Sequence, residues 1–327
     1  MGYLGKVGVV VVVVVALAGY IGGAFAWQDG PRKGYGPGPG GHPGGQYPPP
    51  PPGQGPFNDE VFAAVSDDGL EFDVLPGPLF RHASVPDVVI LSRSSAAGSR
   101  GTMLLYFVDF SDVQGPGSEG ISRAVSRDGL SWRDKQPIVI EGKVNKGAAV
   151  DPSLVQLPDG RIRLYFFGSQ ITAGDPAAET GKHKIYSAIS SDGVNFRLEP
   201  GLRFAAEGIT DPEVVRVGEE WLMFLSRGPE TLLARSGDGL EFTSDRGFRC
   251  RRGGVPGALS LSDGRVRLFL SAGGGIVSLS FDPGQGSASW ADEGLRLQPR
   301  PGSIVADPSP VILGDGRHYL VFKKKAM

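Results

Sequence analysis

The chain has 327 residues and one cysteine, Cys250, so no disulfide can form within it. No Cys/His spacing suggests zinc either, and the four histidines, His42, His82, His183 and His318, are scattered. Net charge is also missing. The formal value of -2 provides no overall field to gather nucleic acid or an anionic membrane. Two basic runs, Arg249 to Arg252 (broken by Cys250) and Lys323 to Lys325, are short and read as solvated surface and a frayed tail. No cofactor, no metal-ligand set and no nucleic-acid partner is expected. What the chain has in quantity is glycine and proline, 51 and 27 residues.

The first 26 residues read as an export signal or an anchor. Lys6 gives a thin positive start, Val7 to Ala26 carries no charge, and Ala24-Phe25-Ala26 fits a small-x-small cleavage site. The same uncharged stretch is long enough to span a bilayer, so a membrane tether through residues 7–26 is the alternative. Either reading takes the rest of the chain out of the cytoplasm, to a periplasmic, cell-surface or extracellular place. Residues 27–56 are low in complexity, with Gly-Pro repeats and then Pro48 to Pro52. Such a segment buries too little apolar surface to order itself, and reads as a spacer.

The remaining residues, from Phe57, carry repeats. One pattern is Ser-x-Asp-Gly-x-x-aromatic, at Ser66 to Phe72, Ser126 to Trp132, Ser190 to Phe196 and Ser236 to Phe242. A worn copy starts at Ser280-Phe-Asp282 and ends at Trp290. In each, the Asp is expected to accept amide hydrogen bonds, the Gly to take a positive φ, and the aromatic ring to pack between repeats. The second pattern is a short apolar run entered by Pro, at Val85-Pro86, Asp151-Pro152, Asp211-Pro212, Val255-Pro256 and Asp307-Pro308. Each run is followed by a turn, often Asp-Gly, and a second strand rich in β-formers. Third strands such as Ile121 to Ser126 lead into the Ser-x-Asp-Gly motif, and fourth strands such as Ile138 to Ile140 follow it. The chain thus reads as an all-β, five-bladed β-propeller with four antiparallel strands per blade. It opens on third- and fourth-strand material and ends on first and second strands, so the last blade is expected to be closed by the N-terminal strands.

Five blades, Asp-Pro at inner strands and Ser-x-Asp-Gly-x-x-Trp/Phe on third strands resemble the arabinanase, invertase and levansucrase superfamily, which includes glycoside hydrolase families 32, 43 and 68. The resemblance covers Phe57 to Phe322. It implies a carbohydrate substrate or ligand and three acids around a central pit: a base or nucleophile from blade one, an Asp from blade two and a Glu general acid from blade three. Asp151 matches blade two. In blade three the Glu position is held by Asp211, with Glu213 two residues on and Glu207 on the approach. In blade one, alignment on Pro86 puts Val85 at the acid position. Either Asp87 fills the pit from a shifted register or the base is missing. Asp87, Asp151, Asp211 and Glu213 are therefore the candidate catalytic set, with a backbone-capping role the alternative for the Asp-Pro residues. Arg81, His82 and Asp307 are candidate substrate-binding residues, and Lys146, Gln170 and Arg227 sit in loops near the blade tops. The resemblance also admits a central ion, for which His318 is a thin candidate ligand. Trp221 reads as inter-blade packing and Cys250 as a buried small hydrophobe.

Two functions follow. One is an exported glycoside hydrolase, expected to be a monomer, acting on a polysaccharide or oligosaccharide. The other is a catalytically inactive propeller that serves as a tethered carbohydrate- or protein-binding module. A sialidase-like reading is weaker: Gly directly follows the motif Asp, there are five repeats rather than six, and no arginine triad is visible.

Overall fold

Five short strands, each entered by an X-Pro pair, stand side by side around one axis. They are Ala83–Ile90, Val150–Gln156, Thr210–Val217, Gly254–Ser260 and Ser303–Ile312. Inner strands of consecutive blades touch, and that of blade five touches that of blade one, which closes the ring. The computed structural model describes residues 56–112, 119–142, 149–168, 182–286 and 289–326. The export or anchor segment, the spacer up to residue 55, Lys146 and Gln170 lie outside them.

From each inner strand the chain steps outward through an antiparallel sheet. Blade one continues with Met103–Asp109, Gly120–Ser126 and Arg133–Pro137, and blade two with Ile162–Phe167, His183–Ser190 and Asn195–Leu198. Blade three continues with Glu220–Arg227, Glu230–Ser236 and Thr243–Cys250, and blade four with Val266–Ala272, Gly275–Phe281 and Trp290–Leu297. Blade five combines both ends of the chain. Ser303–Ile312 and His318–Ala326 are joined by Glu60–Ser66, which pairs with His318–Ala326 from Glu60↔Lys324 to Ser66↔His318, and by Asp73–Val74. One strand differs from expectation. The fourth strand of blade one is Arg133–Pro137, while Val139–Glu141 crosses over and pairs in parallel with Asn195–Leu198 of blade two. Alternating hydrophobicity marks both segments as extended, but it carries no information about which sheet a linking strand joins.

The core is divided into five parts, one in each seam. Tyr106 and Phe166 belong to the seam of blades one and two, Tyr165 and Met223 to that of two and three, and Phe224 and Phe281 to that of three and four. Phe269 with Phe322, and Phe107 with Val321, fill the other two. Cys250 is fully buried, and Trp221 packs between blades two and three, as read from the sequence.

The Ser-x-Asp-Gly turns tie neighbouring blades together at the face opposite the X-Pro ends. In the first copy the Ser66 hydroxyl accepts from Gly69 N (2.9 Å) and donates to Asp68 Oδ1 (3.0 Å), which accepts from Leu70 N (2.7 Å) and Glu71 N (3.1 Å). These amides hold the Asp68 and Asp238 carboxyls down to about 2. The Gly carbonyls accept from a second-strand tyrosine of the preceding blade: Tyr106 to Gly193 (2.8 Å), Tyr165 to Gly239 (2.7 Å) and Tyr319 to Gly129 (2.6 Å). Phe72, Phe196 and Phe242 meet Phe269, Tyr106 and Tyr165 edge to face. The fifth, worn copy turns differently: Asp282 caps the short 3-10 turn Pro283–Gln285, and Trp290 opens the next strand.

A second belt lies near the axis. In four of the five blades the residue after the X-Pro pair uses its side chain to accept the next inner strand's amide. Asp87 Oδ2 accepts from Leu154 N (2.7 Å), Ser153 Oγ from Val214 N (2.9 Å), Glu213 Oε1 from Ala258 N (2.9 Å) and Ser309 Oγ from Val88 N (2.9 Å). Blade four has Gly257 at this place. A Cβ there would lie 1.9 Å from the Pro308 carbonyl oxygen, so backbone contact replaces the side-chain bond. The expected outcome of Gly257→Ala is a loss of more than about 2 kcal/mol, because a backbone must move in a closed ring. Gly237→Ala, which meets nothing within 4 Å, should stay within about 0.5 kcal/mol. Chemical denaturation of the two variants beside the parent checks this.

Candidate functional site

The five residues before proline share one backbone conformation. Val85, Asp151, Asp211, Val255 and Asp307 have φ of 47°, 54°, 48°, 48° and 52°. Each sits in a bulge where the inner strand loses register with its neighbour. Proline suits such a place because it has no amide to leave unpaired. Left-handed φ is tolerable for Asp and strained for β-branched Val, at about 1–3 kcal/mol per residue. The common φ also settles the alignment of blade one. Val85 occupies the same ring position as Asp151, Asp211, Val255 and Asp307, in the same register.

The ring encloses the central pit, lined by these five X-Pro pairs and Glu213. The pit has a volume of about 20 Å³, room for about one water. Asp151, Asp211 and Asp307 are all nearly fully buried at its wall. Asp211 N donates to Asp151 Oδ2 (3.3 Å), and Thr210 Oγ1 donates to Asp211 Oδ2 (2.5 Å). The Oδ1 atoms of Asp151, Asp211 and Asp307 have no hydrogen-bond partner among the described residues. Burial pushes Asp211 up to about 7, with the Asp307 charge adding to it. Burial and then the Asp211 charge push Asp151 well above the usual carboxylate range.

The cation of this cluster is Lys323, read from the sequence as part of a frayed tail. It is buried, with Nζ 2.7 Å from Asp307 Oδ2 and 3.7 Å from Asp59 Oδ2. Burial disfavours its charge, but Asp307 and Asp59 outweigh that and hold its pKa above the usual lysine range. Asp59 in turn accepts from Ser84 Oγ (2.8 Å). The sequence carried one signal for Lys323. It directly follows the apolar run Tyr319 to Phe322, which is buried on both faces of its strand.

Asp87 and Glu213 lie one layer below the ring, where their carboxylates serve the inner belt. Asp87 also accepts from Ser309 Oγ (2.7 Å), and Glu213 lies beside the Ser153 hydroxyl. Burial pushes Asp87 up to about 7 and Glu213 well above its usual range. The structure therefore brings Asp151, Asp211, Asp307 and Glu213 to the pit and places Asp87 beside Glu213 in the belt.

The other sequence candidates stand elsewhere. Arg81 is exposed and pairs with Glu60, and His82 Nδ1 is 2.7 Å from the Phe57 carbonyl oxygen. Neither lines the pit. Glu207 is exposed and Arg227 pairs with Glu230. His318 pairs with Ser66 at the hairpin end of its sheet, away from the X-Pro end.

The raised carboxyls set a pH dependence. Each binds a proton in the folded chain that the unfolded chain releases near its ordinary value of about 4. Their stabilisation is complete below pH 4 and is lost as pH rises through about 7. The motif carboxyls near 2 act oppositely, and their contribution falls only below pH 4. The melting temperature is therefore expected to be higher at pH 5 than at pH 8, and Asp87→Asn should flatten that slope. Thermal unfolding across this range checks both.

No protein-family profile and no curated protein matches the chain. Solved structures match it in fold. A thermostable family-43 glycoside hydrolase gives a TM-score of 0.52 at 15% identity, over 76% of this chain and 89% of that one. An N-acetylgalactosamine deacetylase from F. plautii, in complex with blood group B trisaccharide, gives 0.50 at 13% identity, over 75% and 90%. A family-32 β-fructofuranosidase from Bombyx mori gives 0.50 at 18% identity, over 73% of this chain and 54% of that one. At such identities the likeness is one of fold. The chain is a five-bladed β-propeller with family-43 and family-32 glycoside hydrolases among its structural neighbours.

Proposed function

We propose that this chain is an exported carbohydrate-binding propeller that does not hydrolyse its ligand. The observation that carries this reading is the narrow centre. Among the described residues the pit has room for about one water rather than for a sugar ring, and glycoside hydrolysis requires two carboxyls flanking the bond to be cut. Val85 at the blade-one ring position supplies no base. Asp87 and Glu213 are committed to the amides of the next blades. Support for a carbohydrate ligand is the likeness of fold to neighbours that act on sugars. Support for export and outward display is the uncharged segment 7–26 and the Gly/Pro-rich spacer that follows it.

One observation favours a hydrolase instead. Asp211 stands at the blade-three acid position and is held up at about 7, a value suited to a general acid near neutrality. The two readings separate in one experiment. The full chain and its Asp211→Asn variant are incubated with arabinan, xylan, fructan and aryl glycosides, and released sugar is measured alongside retention on the immobilised polysaccharides. The expected result is retention on at least one polysaccharide with no product above the blank. Product formation that Asp211→Asn abolishes would establish the hydrolase.

A further inference from the structure

Two arginines are buried at the seam of blades two and three, and they share the carboxylate of Glu199. Arg163 is 7% exposed and Arg203 5%. Arg163 pairs with Glu199 (Nε 2.9 Å from Oε2, Nη2 donating to Oε1 at 3.0 Å), donates from Nη1 to the Asp238 carbonyl (3.4 Å), and holds its Cζ 5.7 Å from the Trp221 ring centroid. Glu199 also accepts from Ser187 Oγ at 2.6 Å. Arg203 donates to the Pro200 carbonyl, makes no ion pair among the described residues, and its Nε has no hydrogen-bond partner. Burial lowers its pKa from the usual arginine range, which Glu199 opposes, and the neighbouring Arg163 lowers it further. A buried guanidinium with an unmade hydrogen bond is costly unless something completes it.

Two further arginines open on the same crevice, whose volume is about 420 Å³. Arg161 is held by Asp159 of its own hairpin (2.7 Å). Arg197 is exposed and makes no ion pair among the described residues, although Glu141 lies opposite it in the parallel pairing. Asp238, the remaining nearby carboxylate, is engaged by the amides of Leu240 and Glu241. Arg197 and Arg203 thus make no direct ion pair among the described residues, with Glu199 the acid that Arg203 shares with Arg163, and they stand beside an aliphatic wall that includes Leu198 and Leu240.

We infer that this crevice binds an acidic sugar, with its carboxylate on Arg197 and Arg203 and its apolar face on Leu198 and Leu240. The planar fork of donors on Arg matches a carboxylate, and the volume falls within the range of small-molecule sites. The anion half of the inference stands on the crevice alone, and the sugar half rests on the carbohydrate-binding reading above. Isothermal titration of the full chain at low salt with glucuronate, glucose and inorganic phosphate tests it. Glucuronate is expected to give a saturable isotherm and glucose none. Arg197→Gln, an exposed change, is expected to weaken glucuronate about tenfold, as for one lost charge-assisted hydrogen bond. Arg203→Gln should weaken it at least as much, and if that variant does not fold, Arg197→Gln decides. No isotherm with either anion, or unchanged affinity in Arg197→Gln, overturns the site. Phosphate binding as tightly as glucuronate overturns the sugar assignment. Retention on neutral polysaccharides is a separate readout, so failure there leaves this result distinct.

Discussion

Four of the five inner strands of this propeller are tied to the next by the side chain that follows the X-Pro pair. Asp87, Ser153, Glu213 and Ser309 each accept the next blade's amide, and Gly257 lets two backbones meet where no side chain fits. Closure makes these contacts interdependent. A blade cannot tilt outward to relieve one without breaking the pair on its other side. The X-Pro bulges follow from the same constraint. Five backbones converging on one axis must turn sharply, and the proline pairs extrude that turn from the ladder without leaving an amide unpaired.

Convergence also explains the electrostatics of the centre. The ring brings Asp151, Asp211 and Asp307 together in a volume with almost no water, and sets Lys323 against them. Desolvation then moves the carboxyls upward, so protonation, rather than ion pairing alone, limits the charge they bury. The outer face behaves in the opposite way. The motif carboxyls of Asp68 and Asp238 are exposed, collect amide donors and stay ionised. Like residue types therefore fall into opposite states according to which end of the blade they occupy. The arginine crevice is a third case, in which buried cations outnumber the acids available to them.

Much of the fold was legible in the chain. Repeats at Ser66, Ser126, Ser190 and Ser236 marked the ends of third strands, and the five X-Pro pairs marked the inner strands. The closing pair was legible because the chain begins with the strand type that its end lacks. The fate of Val139–Glu141 was not, since a strand's partner depends on where its neighbours lie. The candidate site was legible in part. Asp151, Asp211 and Glu213 do reach the pit, but the register of blade one was open until the φ of Val85 aligned it with the other ring residues. Lys323 looked like part of a basic tail because its counter-ions, Asp307 on the paired strand and Asp59 near the other end of the domain, meet it only in the folded sheet.

The sequence by itself determined the local chemistry: which residues turn, which run extended, and how often the unit repeats. These depend on contacts within a few residues, such as a Ser hydroxyl and an Asp carboxylate closing a turn over Gly. Only the tertiary structure decided which carboxylates share a desolvated space, how little room the pit leaves, and that four arginines from one blade line a single crevice with Leu240 of the next. Those properties come from ring closure, which sets distances between residues that the chain order keeps far apart.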